Sequence, residues 1–448
     1  MRGLRSTLAL VIVLAGLGAY VYFVTWKKSD NDTGPKKERV FATFRADRID
    51  EIRVKSAAGE ITTVKKQDGD WTISDPITAK VDDAHLNGIT GQLATAEISR
   101  AIDDNPTDLK DYGLLTPRIE VDYKGPGDKD YQRLFIGEKT PTGIDIFAKR
   151  NDEKRVFVIP AYVESAFNVS TFDLRDKTVL KFDHDKVDGI ELTAEGKTFE
   201  LGKDGSDWKL KKPIQAKADA GAVEGLLGRL QTAQMKSIVA ANPKPGDLKK
   251  YGLDKPTVTA TVTSGSSRAT LLVGGKTSDN AFYARDTSQP AVVTVDSPVI
   301  DGLKRGADEY RRKDLFEFRP YNATHIELSR NGQTIVLDRQ KGQGDNAPDT
   351  WHRAAPAGDI AKDKMDGLLS KLSNMRAASF VDSTAKTGTD KPALIVTVKY
   401  DDGKKEETVT FGQSGSDVFA LRPGEPGTAK ADTTDFNDVI KTLDEISK

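Results

Sequence analysis

Two stretches of the sequence carry residue types that could bind phosphate or a divalent cation. Residues 274–277 (GGKT) resemble the end of a phosphate-binding loop, but the full motif requires glycine at the position of Thr270. A strand that ends in a glycine turn is the better interpretation. Residues 183–189 (DHDKVDG) begin like a calcium loop, yet the third acid is displaced by one position and Ala194 replaces the bidentate glutamate. We interpret this stretch as a solvated turn, and we expect neither a metal nor a cofactor.

The histidines do not form a recognisable catalytic or metal-binding pattern. His85, His184, His325 and His352 are far apart in the chain, and no two have the i, i+4 spacing of a helical metal site. No G-x-S-x-G nucleophile elbow is present, although a Ser–His–Asp arrangement can assemble in space without one. The sequence therefore indicates a protein that is not an enzyme.

Composition narrows the classes of protein to which the chain can belong. Its 448 residues include 67 Lys and Arg and 68 Asp and Glu, so the net charge of −1 offers no electrostatic basis for nucleic-acid binding. Apolar residues make up 37% of the chain, which is enough for ordinary cores. The absence of Cys excludes disulfides, thiolate metal sites and an acylated cysteine. This length predicts about three domains.

The first 26 residues contain one long apolar segment. Residues 6–25 carry no charge, and as a helix they would span roughly 30 Å, the thickness of a hydrocarbon core. Trp26 follows at a position where aromatic rings favour the membrane interface. A cleaved signal peptide and a buried core helix are the alternatives, but no clear cleavage site follows the segment. We expect residues 1–26 to form a transmembrane anchor.

The charges around this segment do not decide its orientation. Arg2 and Arg5 precede it, but Lys27, Lys28 and further basic residues follow it, so charge alone would not place the N-terminus inside. A short N-terminal tail before one apolar segment still resembles a signal-anchor, and we expect the large C-terminal part to be exported. Residues 27–43 are polar and rich in turn-forming residues, which predicts a tether.

The remainder of the chain contains three copies of one unit. The loop motif at residues 108–114 (DLKDYGL) returns at residues 247–253 (DLKKYGL), an offset of 139. A strand-to-glycine step recurs three times, at residues 134–140, 271–277 and 409–415. Internal repeats of this kind predict three tandem domains, at residues 44–181, 182–317 and 318–448. The third is divergent, because it carries an inserted polar segment and lacks the loop motif.

Each unit has the pattern of a mostly antiparallel sheet with one main amphipathic helix. Alternating stretches separated by glycine turns predict strands on both sides of the helix. The apolar helix positions are spaced by 3, 4 and 3 residues, at Leu86, Ile89, Leu93 and Ala96, at Val223, Leu226, Leu230 and Ala233, and at Met365, Leu368, Leu372 and Met375. Asp82 and Asp219 stand where a helix start favours a capping carboxylate. We predict an α+β fold in which a transmembrane helix precedes the three repeats.

One tryptophan per unit precedes a proline by five positions, at Trp71, Trp208 and Trp351. A Trp buries a large area and can anchor the core of a small domain. The alternative is a stacking platform for a ligand such as a glycan, repeated three times. We favour the core interpretation.

The loop motif carries a second repeated aromatic residue, Tyr112 and Tyr251, followed by Gly113 and Gly252. The tyrosines can pack their own loops, with the glycines in positive-φ turns. The loops can equally dock a partner, because loops often carry function. We favour a structural role for these four residues.

The apolar N-terminal segment, the Trp–Pro strand, the D-L-x-x-Y-G-L-x-x-P loop and the strand–glycine step together resemble a bacterial family without an assigned activity. It is the domain-of-unknown-function family four-three-four-zero. The resemblance covers nearly all of the chain beyond residue 40 and is clearest in the first two units. It implies an envelope protein with one transmembrane anchor, of a kind often encoded beside ABC-type exporter permeases and a gliding-motility-type auxiliary protein. The resemblance supplies no catalytic or binding residues.

These observations lead to three functional hypotheses. The first is a non-enzymatic accessory or scaffold protein, held in the lipid of a bacterial inner membrane through residues 6–25, with most of the chain in the periplasm. Its expected partner is an ABC-type permease or an auxiliary envelope protein. The second is a periplasmic ligand-binding module, for instance for cell-wall glycan. The third is a hydrolase within one unit, which requires a histidine and an acid within about 3 Å of each other.

Overall fold

The computed structural model describes residues 38–342, 349–382 and 384–447. The chain divides into two compact units, Met1–Lys177 and Thr178–Lys448. The predicted anchor, Trp26 and the tether as far as residue 37 lie outside the described residues. Within those residues, no helix has both the length and the apolar character needed to cross a membrane.

The described chain forms three nine-stranded sheets with the same strand order, in which neighbouring strands run antiparallel. Numbered within a sheet, the strands lie in the order fourth, third, second, first, sixth, seventh, eighth, ninth, fifth. Sheet 1 contains β1 (Glu51–Lys55), β2 (Ile61–Gln67), β3 (Asp70–Asp75), β4 (Ala79–Lys80), β5 (Arg100–Asp103), β6 (Ile119–Lys124), β7 (Gln132–Lys139), β8 (Asp145–Arg150) and β9 (Val156–Pro160). Sheet 2 contains β10 (Gly189–Ala194), β11 (Lys197–Asp204), β12 (Asp207–Lys212), β13 (Ala216–Lys217), β14 (Met235–Ala240), β15 (Val258–Ser264), β16 (Ser267–Lys276), β17 (Ala281–Asp286) and β18 (Val292–Asp296). Sheet 3 contains β19 (Ala323–Arg330), β20 (Gln333–Gln340), β21 (Thr350–Ala355), β22 (Gly358–Asp359), β23 (Ala377–Val381), β24 (Leu394–Tyr400), β25 (Lys405–Ser414), β26 (Asp417–Leu421) and β27 (Thr428–Ala431).

Helices connect and follow the strands of each sheet. The α-helices are α1 (Asp83–Thr95), α2 (Glu164–Phe167), α3 (Thr171–Leu174), α4 (Ala220–Gln231), α5 (Ser297–Leu303), α6 (Lys362–Asn374) and α7 (Thr433–Ile446). Short 3-10 turns occur at Ala46–Arg48, Lys110–Tyr112, Ala161–Val163, His184–Lys186, Pro245–Tyr251 and Ala307–Tyr310. The three repeat-like sheets with their helices make the fold a mostly antiparallel α+β fold.

The main helix of each sheet connects its two edge strands, since α1, α4 and α6 each lie between the fourth and the fifth strand. All twelve predicted apolar positions are buried, as the one-face spacing predicts, although Ala96, Ala233 and Met375 lie just beyond the helix ends. The Asp82 carboxylate accepts a hydrogen bond from the His85 N–H at 3.0 Å, and Asp219 accepts one from Ala222 at 2.9 Å. The predicted helix positions and both caps are therefore confirmed.

The structure contains elements that are absent from the predictions above. The fourth strands of the three sheets have two residues each, which is too short for a period-two pattern to show. Sheet 3 also has a second long helix, α7, at the chain position where the shorter α5 follows sheet 2. Helix α7 buries Phe436, Val439 and Leu443 in the core of sheet 3. The expectation of one main helix per repeat is therefore wrong for the third.

The strand–glycine step also differs from the prediction. Strands β7 and β16 continue through Gly137 and Gly274 and end at Lys139 and Lys276. Their pairing with the next strand shifts register at this place. A β-bulge in which one residue is left unpaired has this effect. The glycines therefore lie within bulged strands, and residues 274–277 are not a turn after a strand.

One backbone hydrogen bond joins the segment that leads into each sheet to a residue just after the main helix. The N–H groups of Val40, Val179 and Leu315 donate to the carbonyls of Ala96, Ala233 and Met375, at 2.9, 3.0 and 2.9 Å. These carbonyls lie one or two residues after the ends of the main helices. Each entry segment is thus tied to the end of the main helix that follows it in the chain.

Within the second compact unit, sheets 2 and 3 share an interlocked junction. Its centre is Arg311, which is 5% exposed and pairs through a β-bridge with Ala218. The Arg311 guanidinium lies 3.6 Å from the ring centroid of Phe380, and it donates to the Pro426 carbonyl at 2.6 Å. Because Ala218 belongs to the repeat of sheet 2 and Phe380 to sheet 3, Arg311 connects the two.

Ion pairs reinforce this junction from both sides. Glu317 accepts hydrogen bonds from Lys217 and from Arg312, the latter at 2.6 Å. Arg376 pairs with Asp219 at 3.4 Å, across the same boundary. Glu407 is half-buried and accepts from the N–H groups of Glu317 and Phe318. The segment that connects sheet 2 to sheet 3 is therefore held by backbone hydrogen bonds and by ion pairs.

Candidate functional site

The loop motif lies at one end of sheets 1 and 2, and a left-handed glycine closes it. The 3-10 turns Lys110–Tyr112 and Pro245–Tyr251 end at Gly113 and Gly252, whose φ angles are 65° and 68°. An L-residue pays a steric penalty in this region, whereas glycine does not. Both glycines therefore occupy the positive-φ turns that the sequence predicts.

The loop backbone lies directly on the bulged strand of its sheet. A Cβ atom added to Gly137 or Gly274 would overlap the carbonyl oxygen of Tyr112 or Tyr251. The same contact occurs in sheet 3, where a Cβ at Gly412 would overlap the backbone at Gly388. The loop and the strand–glycine step, which look like separate motifs in the sequence, are thus two sides of one contact.

The loop tyrosines pack against the neighbouring strand. The Tyr112 ring lies 5.1 Å from the Phe147 ring of β8, and the Tyr251 ring lies 5.1 Å from the Tyr283 ring of β17. Both tyrosines are half-buried. Their rings hold the loops on the sheet and leave the preceding polar residues of the motif facing solvent.

The three tryptophans occupy equivalent strand positions but differ in exposure. Trp208 is 5% exposed and donates its indole N–H to Glu224 at 3.4 Å. Trp71 and Trp351 are half-buried and pack against the cores of sheets 1 and 3. Trp208 therefore offers no ring face for ligand stacking, whereas the other two keep part of their surface accessible.

A groove of about 590 Å³ opens beside Trp351. Its lining includes Tyr321, which is 75% exposed, and Met365 and Leu369 of α6, which are buried. An ion pair between Arg339 and Asp349 at 2.7 Å also lines it. Aromatic surface beside a few polar groups is the usual composition of a small-molecule site.

One histidine lies between two carboxylates on sheet 3. The ring nitrogens of His325 are hydrogen-bonded to Asp338 at 2.7 Å and to Glu327 at 3.0 Å. Burial opposes protonation of the ring, but these hydrogen bonds outweigh it and raise the pKa of His325. Because both nitrogens are engaged within the protein, the arrangement stabilises the strands and leaves no ring nitrogen free for a substrate.

The sequence contains a signal for this histidine cluster. A two-residue turn with positive φ at Asn331 and Gly332 connects β19 to β20. Such a hairpin fixes the strand register, and His325 and Asp338 are equidistant from its centre. The hairpin rule therefore predicts their contact, although the spacing along the chain does not suggest it.

The two motifs that could bind phosphate or cations have structural roles. Gly274 lies inside β16 against the loop, as described above. His184–Lys186 forms a 3-10 turn in which Lys186 pairs with Asp183 at 2.8 Å. Among the described residues, no group of three or more His, Asp or Glu side chains is placed to hold a metal ion.

Comparison with known proteins gives one result. The family model described as Domain of unknown function (DUF4340) matches residues 71–216 and 208–392, about seven-tenths of the chain. Each match begins at a repeat tryptophan and continues into the opening strands or the loop region of the next sheet. No curated protein and no solved structure shows significant similarity to the chain. The chain belongs to the family of domains of unknown function DUF4340.

Proposed function

We propose that the chain is a non-enzymatic accessory or scaffold protein of the bacterial cell envelope. In this proposal residues 6–25 anchor it in the inner membrane, and the three sheets lie on the periplasmic side. There they contact an ABC-type permease or an auxiliary envelope protein. The apolar segment and the resemblance in sequence support the location, and the tandem sheets support the role.

The interlocked junction between sheets 2 and 3 is the observation that carries this proposal. Domains within a chain move relative to each other by default, unless a well-packed interface restrains them. Arg311, almost fully buried between the two repeats, and the pairing of Arg376 with Asp219 provide such a restraint. A scaffold needs this property, because it must present surfaces to its partners at a constant spacing.

Affinity purification of the full-length chain from detergent-solubilised membranes tests the proposal. We expect quantitative mass spectrometry to find permease or envelope subunits enriched over a purification without the tagged chain. Protease treatment of spheroplasts should also digest the sheets while the inner membrane stays intact. Recovery of the chain alone, or protection of the sheets from the protease, would contradict the proposal.

The groove beside Trp351 favours a second candidate function, the binding of a glycan-type ligand. Sugars stack on aromatic rings, and Trp351 and Tyr321 both border the groove. Titration with soluble peptidoglycan fragments should quench tryptophan fluorescence in the wild-type chain and in Trp71→Phe, but not in Trp351→Phe. Equal quenching in both variants, or no quenching at all, would remove this candidate.

A further inference from the structure

One end of sheet 1 exposes three large apolar side chains. Leu115, Ile144 and Tyr162 are 68%, 72% and 70% exposed. Among the described residues, only one other large apolar side chain, Tyr321, is exposed to a similar degree. Single exposed apolar residues are common, but a group of them at one place marks an interaction surface. We call these three residues the loop-end patch.

Backbone hydrogen bonds bring the three residues to the same end of the sheet. Ile144 directly precedes β8, and its carbonyl accepts from the N–H of Ala161, the residue before Tyr162. Leu115 follows the loop that lies on Gly137, and three residues later the Arg118 N–H donates to Ile136 of β7. The start of β6, the end of β7, the start of β8 and the end of β9 meet here, because neighbouring strands are antiparallel.

The equivalent positions of the other two sheets are exposed but are not occupied by large apolar residues. Strand pairing and the loop contact place Asp254, Asn280 and Pro298 there in sheet 2, and Asp390, Ser416 and Thr434 in sheet 3. The fold therefore does not require apolar residues at these places. Their presence in sheet 1 is a property of that repeat alone.

An ion cluster centred on the buried carboxylate of Glu164 lies beside the patch. Glu164, which begins α2 two residues after Tyr162, is buried and accepts from Arg118 at 2.9 Å and from Lys139 at 2.9 Å. The equivalent of Glu164 in sheet 2 is Ile300, which is fully buried in an apolar environment. In sheet 1, these ion pairs tie the segment that carries Tyr162 to Arg118 and to Lys139. A surface held in advance loses less entropy when it binds.

Of the described charged residues beside the patch, those that form no ion pair are mainly acidic, because Arg118 and Lys139 are both engaged with Glu164. Asp108, Asp111 and Glu138 are exposed, and none of them forms an ion pair with a described residue. Lys110 is the exposed cation of the same loop, while Lys139 is engaged with Glu164. An acidic border repels anionic lipid and attracts basic side chains. The charges beside the patch therefore favour a protein partner with basic side chains over an anionic lipid surface.

We propose that the loop-end patch docks a protein segment that presents apolar residues flanked by Lys or Arg. The proposal rests on the accessory function proposed above, and it names the surface and the chemistry of the contact. Leu115, Ile144 and Tyr162 form the apolar centre, and the carboxylates of Asp111 and Glu138 pair with the basic residues of the partner. An apolar centre with an aromatic residue and a polar border is the usual anatomy of such an interface.

Site-specific photocrosslinking of the full-length chain in its native membranes tests this proposal. The photoreactive residue benzoylphenylalanine replaces Thr116, which is exposed beside Leu115, and replaces Lys255, the equivalent exposed residue of sheet 2, as the control. We expect an adduct with another protein at position 116 and not at position 255. Mass spectrometry should map the adduct to a segment with apolar residues next to Lys or Arg.

Two double variants test whether formation of the adduct depends on the side chains of the loop-end patch and its acidic border. L115D/I144N introduces residues that sheet 2 already carries at these exposed positions, so folding should be unchanged. We expect the adduct to fall about tenfold in this variant, as for the loss of hot-spot side chains, and severalfold in D111K/E138K. Circular dichroism and thermal unfolding verify that both variants fold like the wild type.

Several outcomes would overturn the docking surface. They are equal adducts at positions 116 and 255, an adduct with lipid or with a second copy of the chain, and an adduct insensitive to either double variant. If L115D/I144N still purifies with the same membrane partners as the wild type, the docking surface fails and the accessory function stands. If the wild type itself purifies without partners, the accessory function fails.

Discussion

Three glycines at equivalent positions let the loop of each repeat lie against a strand. At Gly137, Gly274 and Gly412 the loop backbone occupies the space that a side chain would fill. This contact explains why the strand–glycine step persists in sheet 3 although the loop motif is missing there. All three repeats share the close approach of the loop backbone to the strand at this place, and they do not all share an aromatic loop side chain.

Gly274→Ala should destabilise the second compact unit by about 1–3 kcal/mol, because the new methyl group overlaps the Tyr251 carbonyl and forces the loop to move. The matched control is Gly275→Ala, whose Cβ would meet Tyr251 only at 3.7 Å. Thermal unfolding followed by scanning calorimetry measures both. Equal effects of the two substitutions would show that the loop contact is not what requires glycine.

His325→Gln should make sheet 3 less stable than in the wild type at acidic pH, but not at basic pH. The two carboxylates raise the pKa of His325 in the folded state, so folding favours the protonated ring. The resulting stabilisation is complete below the ordinary histidine value of about 6.5 and is lost as the pH rises through the raised pKa. Chemical unfolding of the two proteins over this range measures the difference.

The stability difference should also disappear in the background D338N/E327Q, which removes both acidic partners of the ring. A difference that stays constant with pH would mean that His325 contributes through packing and not through its charge.

At the scale of the elements, the main helices follow directly from local spacing. Apolar residues at steps of 3, 4 and 3 give one face, and all of these residues are buried. The two-residue edge strands could not be anticipated in the same way. Helix α7 could have been, because its buried residues 436, 439, 443 and 446 have the same steps of 3, 4 and 3. A strand of two residues has no periodicity. Only the packing of α7 against α6, where Lys371 donates to Thr442 at 2.7 Å, depends on the tertiary structure.

Helix α1 should become more stable when its exposed glycines are replaced. Gly88 and Gly91 have no neighbouring atom within 4 Å of an added Cβ, and alanine has the higher helix propensity. Gly88→Ala and Gly91→Ala should each add about 0.5–1 kcal/mol to the stability of the first unit. Calorimetry should show the opposite effect for Gly113→Ala, where φ is 65° and the Cβ would lie 2.8 Å from the Glu138 nitrogen. A loss of stability in the helix variants would contradict this account.

At the scale of the whole molecule, a few long-range contacts decide how repeats combine. The family matches cross the limits of the sheets, because they begin at Trp71 and Trp208 and end in the following repeat. Within the second unit, sheets 2 and 3 are held through Arg311 and its partners. The division of the chain into domains at residues 44–181, 182–317 and 318–448 stays a prediction.

Arg311→Ala should loosen the junction between sheets 2 and 3. The substitution removes the contact with the Phe380 ring and the hydrogen bond to Pro426, at a cost of about 1–3 kcal/mol. Limited proteolysis should then cut the connecting segment at residues 311–314 at least several times faster than in the wild type. Arg305→Ala is the control, because Arg305 is exposed. Equal cleavage of both variants would show that Arg311 does not hold the repeats together.

The sequence by itself determined the repeats, the faces of the main helices, two helix caps and the left-handed glycines. The repeats follow from self-similarity along the chain, and the other features depend on neighbours within about four residues, so local spacing specifies them. Only the tertiary structure decided that the loop lies on the strand glycine, that Arg311 joins two sheets, and that Leu115, Ile144 and Tyr162 lie at the same end of sheet 1. Those contacts join residues that are distant in the chain, and strand order and register, which no local pattern encodes, bring them together.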